Sequence, residues 1–574
     1  MAMPDPTPDT PALRSATQDL APAVYLETFG CQMNVLDSQL VAAQLRSLGY
    51  RFTDDADDAD VVLYNTCSVR EHAEAKVYSR VGQIGKTKRH KPHVVLGVIG
   101  CMAERDGEDM LKRHPQIDLL CGPGELDKLP GMIDNAVRTA PAPGNRFAAH
   151  REQQAALQGD THRRTGTLAA AEDQLELIDL ARSFSPHQEG SAPRSAYVRI
   201  TRGCNKFCTY CVVPQTRGAE VHRPPHHILD ECKRLVDAGV VEITLLGQTV
   251  NHYHFDHARA TEKGGLTQPQ IGAAVKNHGT SFETAQHRSA DANAAHRSPV
   301  AGHDLTTFAD LLHQIHERVP GLQRLRFVTS FPRDFGDDIL HVIRDCPRIC
   351  RYLHLPVQSG SDRMLKLMNR GYTAEHFKEL MHRVSETLPD CEVATDIITG
   401  FPTETEEDHR ATAELMRWAR FKNSFIFKYS PRPGTAAMKK FEDDVPVDVK
   451  KRRNRELLAI QQEASTQVHQ KYIGRTVPVF VESVSRKHEK QQAAAASSNA
   501  ADPRVTLGWE TRPDAAAVAL ADPTPDAADA TAQLAARTEH DLITLFDGPE
   551  SLIGTITNVN ITAAQPLALF GERV

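Results

Sequence analysis

The chain has 574 residues, 40% of them hydrophobic and 25% charged, an ordinary globular balance whose length predicts about three or four domains. Its formal charge of −7 excludes a uniformly basic nucleic-acid binder, although not a local basic patch. No run reaches the apolar length of a membrane span, and eleven cysteines are too few for a disulfide scaffold, so clustered cysteines read as metal ligands or catalytic groups in a reducing compartment.

Residues 1–22 are rich in Pro, Thr and Asp, lack the apolar stretch of an export signal, and read as a disordered tail. Residues 23–139 alternate strand and helix signals. Strands are expected at 24–28, 61–64 and 94–99, with a further candidate at 117–120. Asp37 and Ser38 can cap a helix carrying Leu40, Val41, Leu45 and Leu48, with Gly49 as its stop. Continuous apolar strands separated by helices predict a parallel α/β sheet. Residues 140–193 are Ala-, Gln- and Gly-rich and read as a linker.

Residues 194–470 repeat the strand–helix rhythm six times, with strands expected at 196–201, 242–246, 325–330, 352–357, 392–399 and 424–429. Six units predict a full or partial (β/α)6 TIM-type barrel with its active site at the C-terminal strand ends. A polar stretch at 256–303 reads as an insert. Residues 471–574 carry short β-branched strands at 476–484, 541–546 and 552–561, which predict a small β-barrel or sandwich. A low-complexity insert is expected there at 488–536.

Cys204, Cys208 and Cys211 stand in the spacing Cys-x3-Cys-x2-Cys directly after the first barrel strand. Three thiolates this close can converge on one metal centre. Structural zinc is the plain alternative, but it wants four ligands, and no fourth Cys or His lies at hook spacing. On a cubane, three thiolates leave one iron open to a substrate, whereas most iron–sulfur sites use four cysteines. In the first block, Cys31, Cys67 and Cys101 each follow a predicted strand, at the sheet edge where α/β domains bind ligands. Cys121 occupies a similar place, so position alone does not choose three from four.

With an aromatic before its last cysteine, the 204–211 motif resembles that of the radical S-adenosylmethionine enzymes. In them the open iron chelates S-adenosylmethionine, and one-electron reduction yields a 5′-deoxyadenosyl radical. The runs Thr28-Phe29-Gly30-Cys31-Gln32-Met33-Asn34, Asn65-Thr66-Cys67-Ser68-Val69-Arg70 and Gly100-Cys101-Met102-Ala103-Glu104-Arg105 resemble the three signatures of the methylthiotransferase N-terminal domain. The likeness continues through the runs 246–251, 355–361, 396–402 and 429–435, and the last block resembles the RNA-binding TRAM domain. At 508–512, Gly-Trp-Glu-Thr-Arg departs from the turn usual in that domain.

The resemblance implies two 4Fe–4S clusters, one on Cys204, Cys208 and Cys211 and a second, sulfur-presenting one on Cys31, Cys67 and Cys101, with Cys121 structural. It implies two S-adenosylmethionine molecules per turnover, in a pocket for which Gln248, Asn251, Gln358, Ser359 and Asp396 at strand ends are the candidates. Within the family, the residues around the first two cysteines are similar to the bacterial branch acting on isopentenylated (dimethylallyl) adenosine beside the tRNA anticodon. Methylthiolation of a ribosomal-protein aspartate is the alternative, and a zinc-stabilised RNA-binding protein the non-enzyme one. The expected partners are tRNA and a low-potential electron donor such as flavodoxin or ferredoxin, with no membrane, for a monomer in the cytoplasm. Residues 471–574 hold nine Lys and Arg against thirteen Asp and Glu, so the basic runs at 86–91 and 450–455 are the candidates for phosphate contact.

Overall fold

The structure is a computed structural model describing residues 21–68, 71–139, 153–157, 174–181, 194–272, 305–485 and 531–574. The expected tail up to residue 20, most of the linker and of both inserts, and the 508–512 run lie outside the described residues.

The first body is one parallel sheet of β1 (Ala23–Phe29), β2 (Arg51–Phe52), β3 (Val61–Thr66), β4 (Val95–Gly100), β5 (Leu119–Cys121) and β6 (Gln154–Ala156), in the order β2-β1-β3-β4-β5-β6. Strands β3 and β4 are buried throughout, as continuous apolar runs covered on both faces must be. The register aligns Phe29 with Thr66 and Thr66 with Gly100. Three strands therefore end in one row, and Cys31, Cys67 and Cys101 stand one or two residues past it.

Two expectations change here. The sheet extends past residue 139, because Gln154–Ala156 adds a sixth strand beside β5. The helix after β1 runs Gln32–Ser47 with Cys31 at its N-cap, so Asp37 and Ser38 lie inside it rather than capping it. The apolar face begins upstream, with Met33 and Leu36 already buried.

The central body holds six parallel strands, β7 (Ser195–Arg199), β8 (Glu242–Leu246), β9 (Arg324–Phe327), β10 (Tyr352–His354), β11 (Glu392–Thr399) and β12 (Asn423–Lys428). They form two three-stranded sheets, β9-β8-β7 and β10-β11-β12. Leu325 bridges the two: its amide donates to Arg348 O (2.8 Å) and its carbonyl accepts from Cys350 N (2.9 Å). The strand order is sequential, as expected for (β/α)6. Three helices between the strands start on capping boxes, Thr307 with Asp310, Thr373 with His376 and Thr405 with Asp408. Part of the expected 256–303 insert is ordered against this body, with Gln270–Ile271 pairing antiparallel to Val221–His222.

Helix Val447–Gln470 leads to a closed barrel of β13 (Thr476–Val484), β14 (Thr531–Thr538), β15 (Ile543–Pro549), β16 (Ile556–Gln565) and β17 (Ala568–Arg573), in the order β13-β14-β15-β17-β16. Residues 531–536, expected within the insert, are the first six residues of β14. Ala532, Leu534 and Ala536 alternate inward, and their small or compact side chains fit a narrow barrel core. The barrel docks on the N-terminal ends of the central strands. There Arg324 donates to Pro478 O (2.7 Å) and Arg537 O (2.8 Å), and Lys422 Nζ meets Asp541 Oδ2 at 2.6 Å. The described residues of the barrel make these contacts at the end of the strands opposite the cysteine motif.

Candidate functional site

At the edge of the first sheet, two asparagines tie the strand ends together. Asn34 Nδ2 donates to Asn65 Oδ1 and to Thr66 O, both at 2.9 Å, while Asn65 Nδ2 donates to Asn34 O (2.8 Å) and Ser38 Oγ (2.9 Å). Thr66 Oγ1 donates to Ile99 O at 2.8 Å, adding the third strand. Gly100 sits at φ 91°, where a Cβ would lie 2.4 Å from Asn65 Oδ1, so only glycine fits. These buried bonds explain why Asn34 and Asn65 accompany Cys31 and Cys67 in the sequence.

The thiols on this edge interact. Cys31 is held down to about 6 chiefly by a hydrogen bond from Cys67; burial opposes this and Arg217 assists. Burial pushes Cys101 up, with the Cys31 charge adding to it and Arg217 opposing. Cys121 is a different case. It is fully buried and bonds the Glu125 carbonyl at 3.2 Å, and burial beside Glu125 and Asp127 raises its thiol well above the usual range.

The second triad lies in the loop after β7. Burial raises Cys204 well above its usual value, with Glu220 and the other two thiols adding. Burial also carries Cys211 to about 12, followed by Cys208. The Val213 amide donates to Cys211 Sγ at 3.4 Å. The helix that begins at Cys101 packs against the turn Val213–Thr216 just after Cys211, which brings the two cysteine groups to one seam between the bodies.

Sequence reasoning missed the cations around these thiols. Buried Arg370 donates to Cys208 Sγ (3.3 Å), Tyr210 Oη (3.3 Å), Tyr372 Oη (3.0 Å) and Pro356 O (2.8 Å), and stacks 4.4 Å from the Phe331 ring. Arg217, six residues after Cys211, reaches the first body: Nη2 lies 2.8 Å from Asp37 Oδ2. Helix Gln174–Ala181, expected within the linker, supplies Glu176 and Asp179. They bind Arg223 at 2.9 Å and Arg199 at 2.8 Å, all four side chains being buried.

The five candidate pocket residues separate. Gln248 is half-buried in the loop after β8. Asp396 is half-buried on β11 and meets His354 Nε2 at 3.2 Å. Gln358 follows β10 at φ 73°, with its backbone bridged to β11. Asn251 spends its amide on both backbone groups of Phe331, at 2.9 and 2.7 Å. Ser359 is wholly buried and bonds Thr412 Oγ1 at 3.1 Å.

Much of the basic run at 450–455 is neutralised internally. Lys450 meets Asp443 at 2.5 Å, while Arg453 binds Glu404 (2.8 Å) and Glu406 (2.7 Å). Lys451 and Arg455 remain exposed. In the other run, Lys88 pairs with Asp118.

Among the described residues, three donors within 4.8 Å of one another occur at His222, His252 and His254, not at either cysteine triad. The donor set, all thiolate with three members, fits an iron–sulfur cluster that keeps one iron free of protein.

The chain matches the Radical SAM superfamily over residues 198–416 and the Uncharacterized protein family UPF0004 over residues 23–122. A tRNA-2-methylthio-N(6)-dimethylallyladenosine synthase of Rhodopirellula baltica is 40% identical over 467 residues, 81% of this chain and 85% of that protein. One of the same name from Bacteroides fragilis is 35% identical over 561 residues, 98% of each chain. A third, from Akkermansia muciniphila, is 36% identical over 478 residues, covering 83% of this chain and 92% of its own. The superfamily match brings S-adenosylmethionine and one 4Fe–4S cluster with it. No helix among the described residues is long and apolar enough to cross a membrane.

Proposed function

The chain belongs to the family of the tRNA-2-methylthio-N(6)-dimethylallyladenosine synthases, and from that premise we propose that it is a tRNA methylthiotransferase. Its substrate is N6-isopentenyladenosine next to the anticodon, and its product the 2-methylthio derivative. The carbon that gains sulfur lies between two ring nitrogens and carries an unactivated C–H bond. Acid–base groups cannot readily exchange that hydrogen for sulfur, so cofactors carry the chemistry and the protein positions them.

When bound, a reduced 4Fe–4S cluster with S-adenosylmethionine supplies radical chemistry, and a second cluster supplies a site for sulfur. Cys204, Cys208 and Cys211 would hold the first. Cys31, Cys67 and Cys101 would hold the second, with Asn34 and Asn65 fixing the loops that present them. Arg370 keeps a positive charge against Cys208 inside a dry site. Gln248, Gln358 and Asp396 would line the S-adenosylmethionine pocket, and Asn251 and Ser359 would hold its loops in place. Two S-adenosylmethionine molecules serve each turnover, one as methyl source and one as radical source. A flavodoxin- or ferredoxin-type donor supplies electrons, and the enzyme works as a cytoplasmic monomer. An anticodon-loop base can be unstacked into the seam at low cost.

The observation that carries this reading is the pair of cysteine groups brought to one seam in a chain 40% identical to a protein of that name. Nucleoside mass spectrometry of tRNA from a strain lacking this protein tests it. The isopentenyl nucleoside should accumulate without its methylthio derivative, and the intact gene should restore it. Restoration by Cys208→Ala would overturn the reading.

A further inference from the structure

We infer that His222, His252 and His254 form a binding site for a divalent late transition metal of the zinc class, distinct from both cysteine centres. One ring nitrogen of each lies within 4.8 Å of the other two. The rings come from two segments, His222 from strand Val221–His222 and the others from the turn and strand after β8. Ring centroids are 4.2 Å apart for His222 and His254, and 5.4 Å for His252 and His254.

Three observations point to a ligand there. First, His222 is fully buried and its Nε2 has no hydrogen-bond partner. An unsatisfied buried nitrogen is costly, and a metal bond would satisfy it. Second, the other two rings have their Nδ1 atoms engaged: His252 meets Glu220 Oε2 at 2.8 Å and His254 meets His252 O at 3.0 Å. In His252, donation from Nδ1 leaves Nε2 as the acceptor nitrogen, and a carboxylate behind a histidine is the usual support of a ligating ring. Third, a Cβ on Gly272 would come within 2.5 Å of His222 Nε2, so glycine alone leaves room beside that nitrogen.

Three neutral imidazoles select zinc and its neighbours over magnesium or calcium, which prefer oxygen. Zinc–nitrogen bonds of about 2.0–2.1 Å place donors about 3.4 Å apart, so from separations within 4.8 Å the rings must close by at most about 1.4 Å. Ligation through His222 Nε2 moves its proton to Nδ1, giving up the marginal 3.5 Å contact from the His254 amide. The ion would staple the loop after β8 to the strand that follows Glu220. Glu220 also accepts from Thr249 Oγ1 (2.9 Å) and lies beside Cys204, so the staple would fix one wall of the cluster loop.

The test is zinc K-edge X-ray absorption on anaerobic, cluster-loaded protein given one equivalent of zinc and desalted. The expected result is one retained zinc per chain with about three imidazole neighbours and no sulfur. Sulfur in the first shell, or loss of the zinc on desalting, overturns the site. His254→Gln should weaken zinc binding about 100-fold with iron content unchanged, while His257→Gln should not. Full zinc retention by His254→Gln also overturns it. Should His254→Gln fail to fold, the wild-type spectrum decides.

Discussion

Arg217 Nη2 lies 2.8 Å from Asp37 Oδ2, joining the loop after Cys211 to the helix that begins at Cys31. Both side chains are buried, and Arg199 approaches the same carboxylate at 3.4 Å. Arg217 also lies close enough to favour the charged forms of Cys31 and Cys101, so the pair sits at the seam between the two cysteine groups.

Breaking that pair should uncouple the two halves of the reaction. Arg217→Gln leaves a buried carboxylate with only the longer Arg199 contact, a loss on the order of 3 kcal/mol in stability. S-adenosylmethionine cleavage should persist while methylthio product falls about tenfold or more, a drop of about 1.4 kcal/mol or more in transition-state stabilisation. The ratio of product to 5′-deoxyadenosine measures it, and an unchanged ratio would show that the pair is structural only.

The two triads should fail differently. Cys101→Ala should cleave S-adenosylmethionine yet make no methylthio product, whereas Cys208→Ala should do neither. Cys121→Ala should stay active, because that thiol bonds the Glu125 carbonyl within the core of the first sheet. Loss of the auxiliary cluster in Cys121→Ala would show that the ligand set is wrong.

Arg370 should tune the cluster that Cys208 would hold. Its guanidinium favours the more negative, reduced state, so Arg370→Gln should shift the reduction potential downward, and Arg370→Lys less so. Anaerobic redox titration followed by electron paramagnetic resonance reads the shift, and an unchanged potential would refute the role.

Acid should release the terminal barrel from the core. Burial alone would raise the Asp541 carboxyl, but Lys422, Arg537 and Arg326 outweigh it and hold it at about 2. A depressed carboxyl stabilises the fold above its unfolded value near 3.8, and that contribution disappears as pH falls toward 2. Burial lowers Lys422 to about 8 against the pull of Asp541. Its protonated form is therefore costly below that pH and depends on Asp541 as counter-charge. Asp541→Asn should loosen the barrel at neutral pH and flatten the acid dependence between pH 4 and 2, read by hydrogen exchange in β13 and β14.

The legible part of this molecule is what short-range pattern encodes. The apolar runs of β3, β4 and β8 announce buried parallel strands, and Cys204, Cys208 and Cys211 sit close enough in sequence to declare one site. Cys31, Cys67 and Cys101 converge only through the register that aligns Phe29, Thr66 and Gly100, which the sequence leaves open until strand order is known. Helix Gln174–Ala181 reads as linker because its partners are distant in sequence: Leu175 and Ile178 join the core of the first body, and Asp179 and Glu176 bind Arg199 and Arg223, twenty and forty-seven residues away. Asp37 looks like a helix cap for the same reason, its partner Arg217 lying 180 residues on. Arg370 and the three histidines carry no local signature at all; only the closed fold brings them to their partners.

An iron and sulfide count on fully reconstituted, oxygen-free protein tests the central claim most directly. Two cubanes predict about eight irons and eight sulfides per chain, falling to about four of each in Cys101→Ala. About four irons in the intact protein, unchanged in Cys101→Ala, would contradict the account.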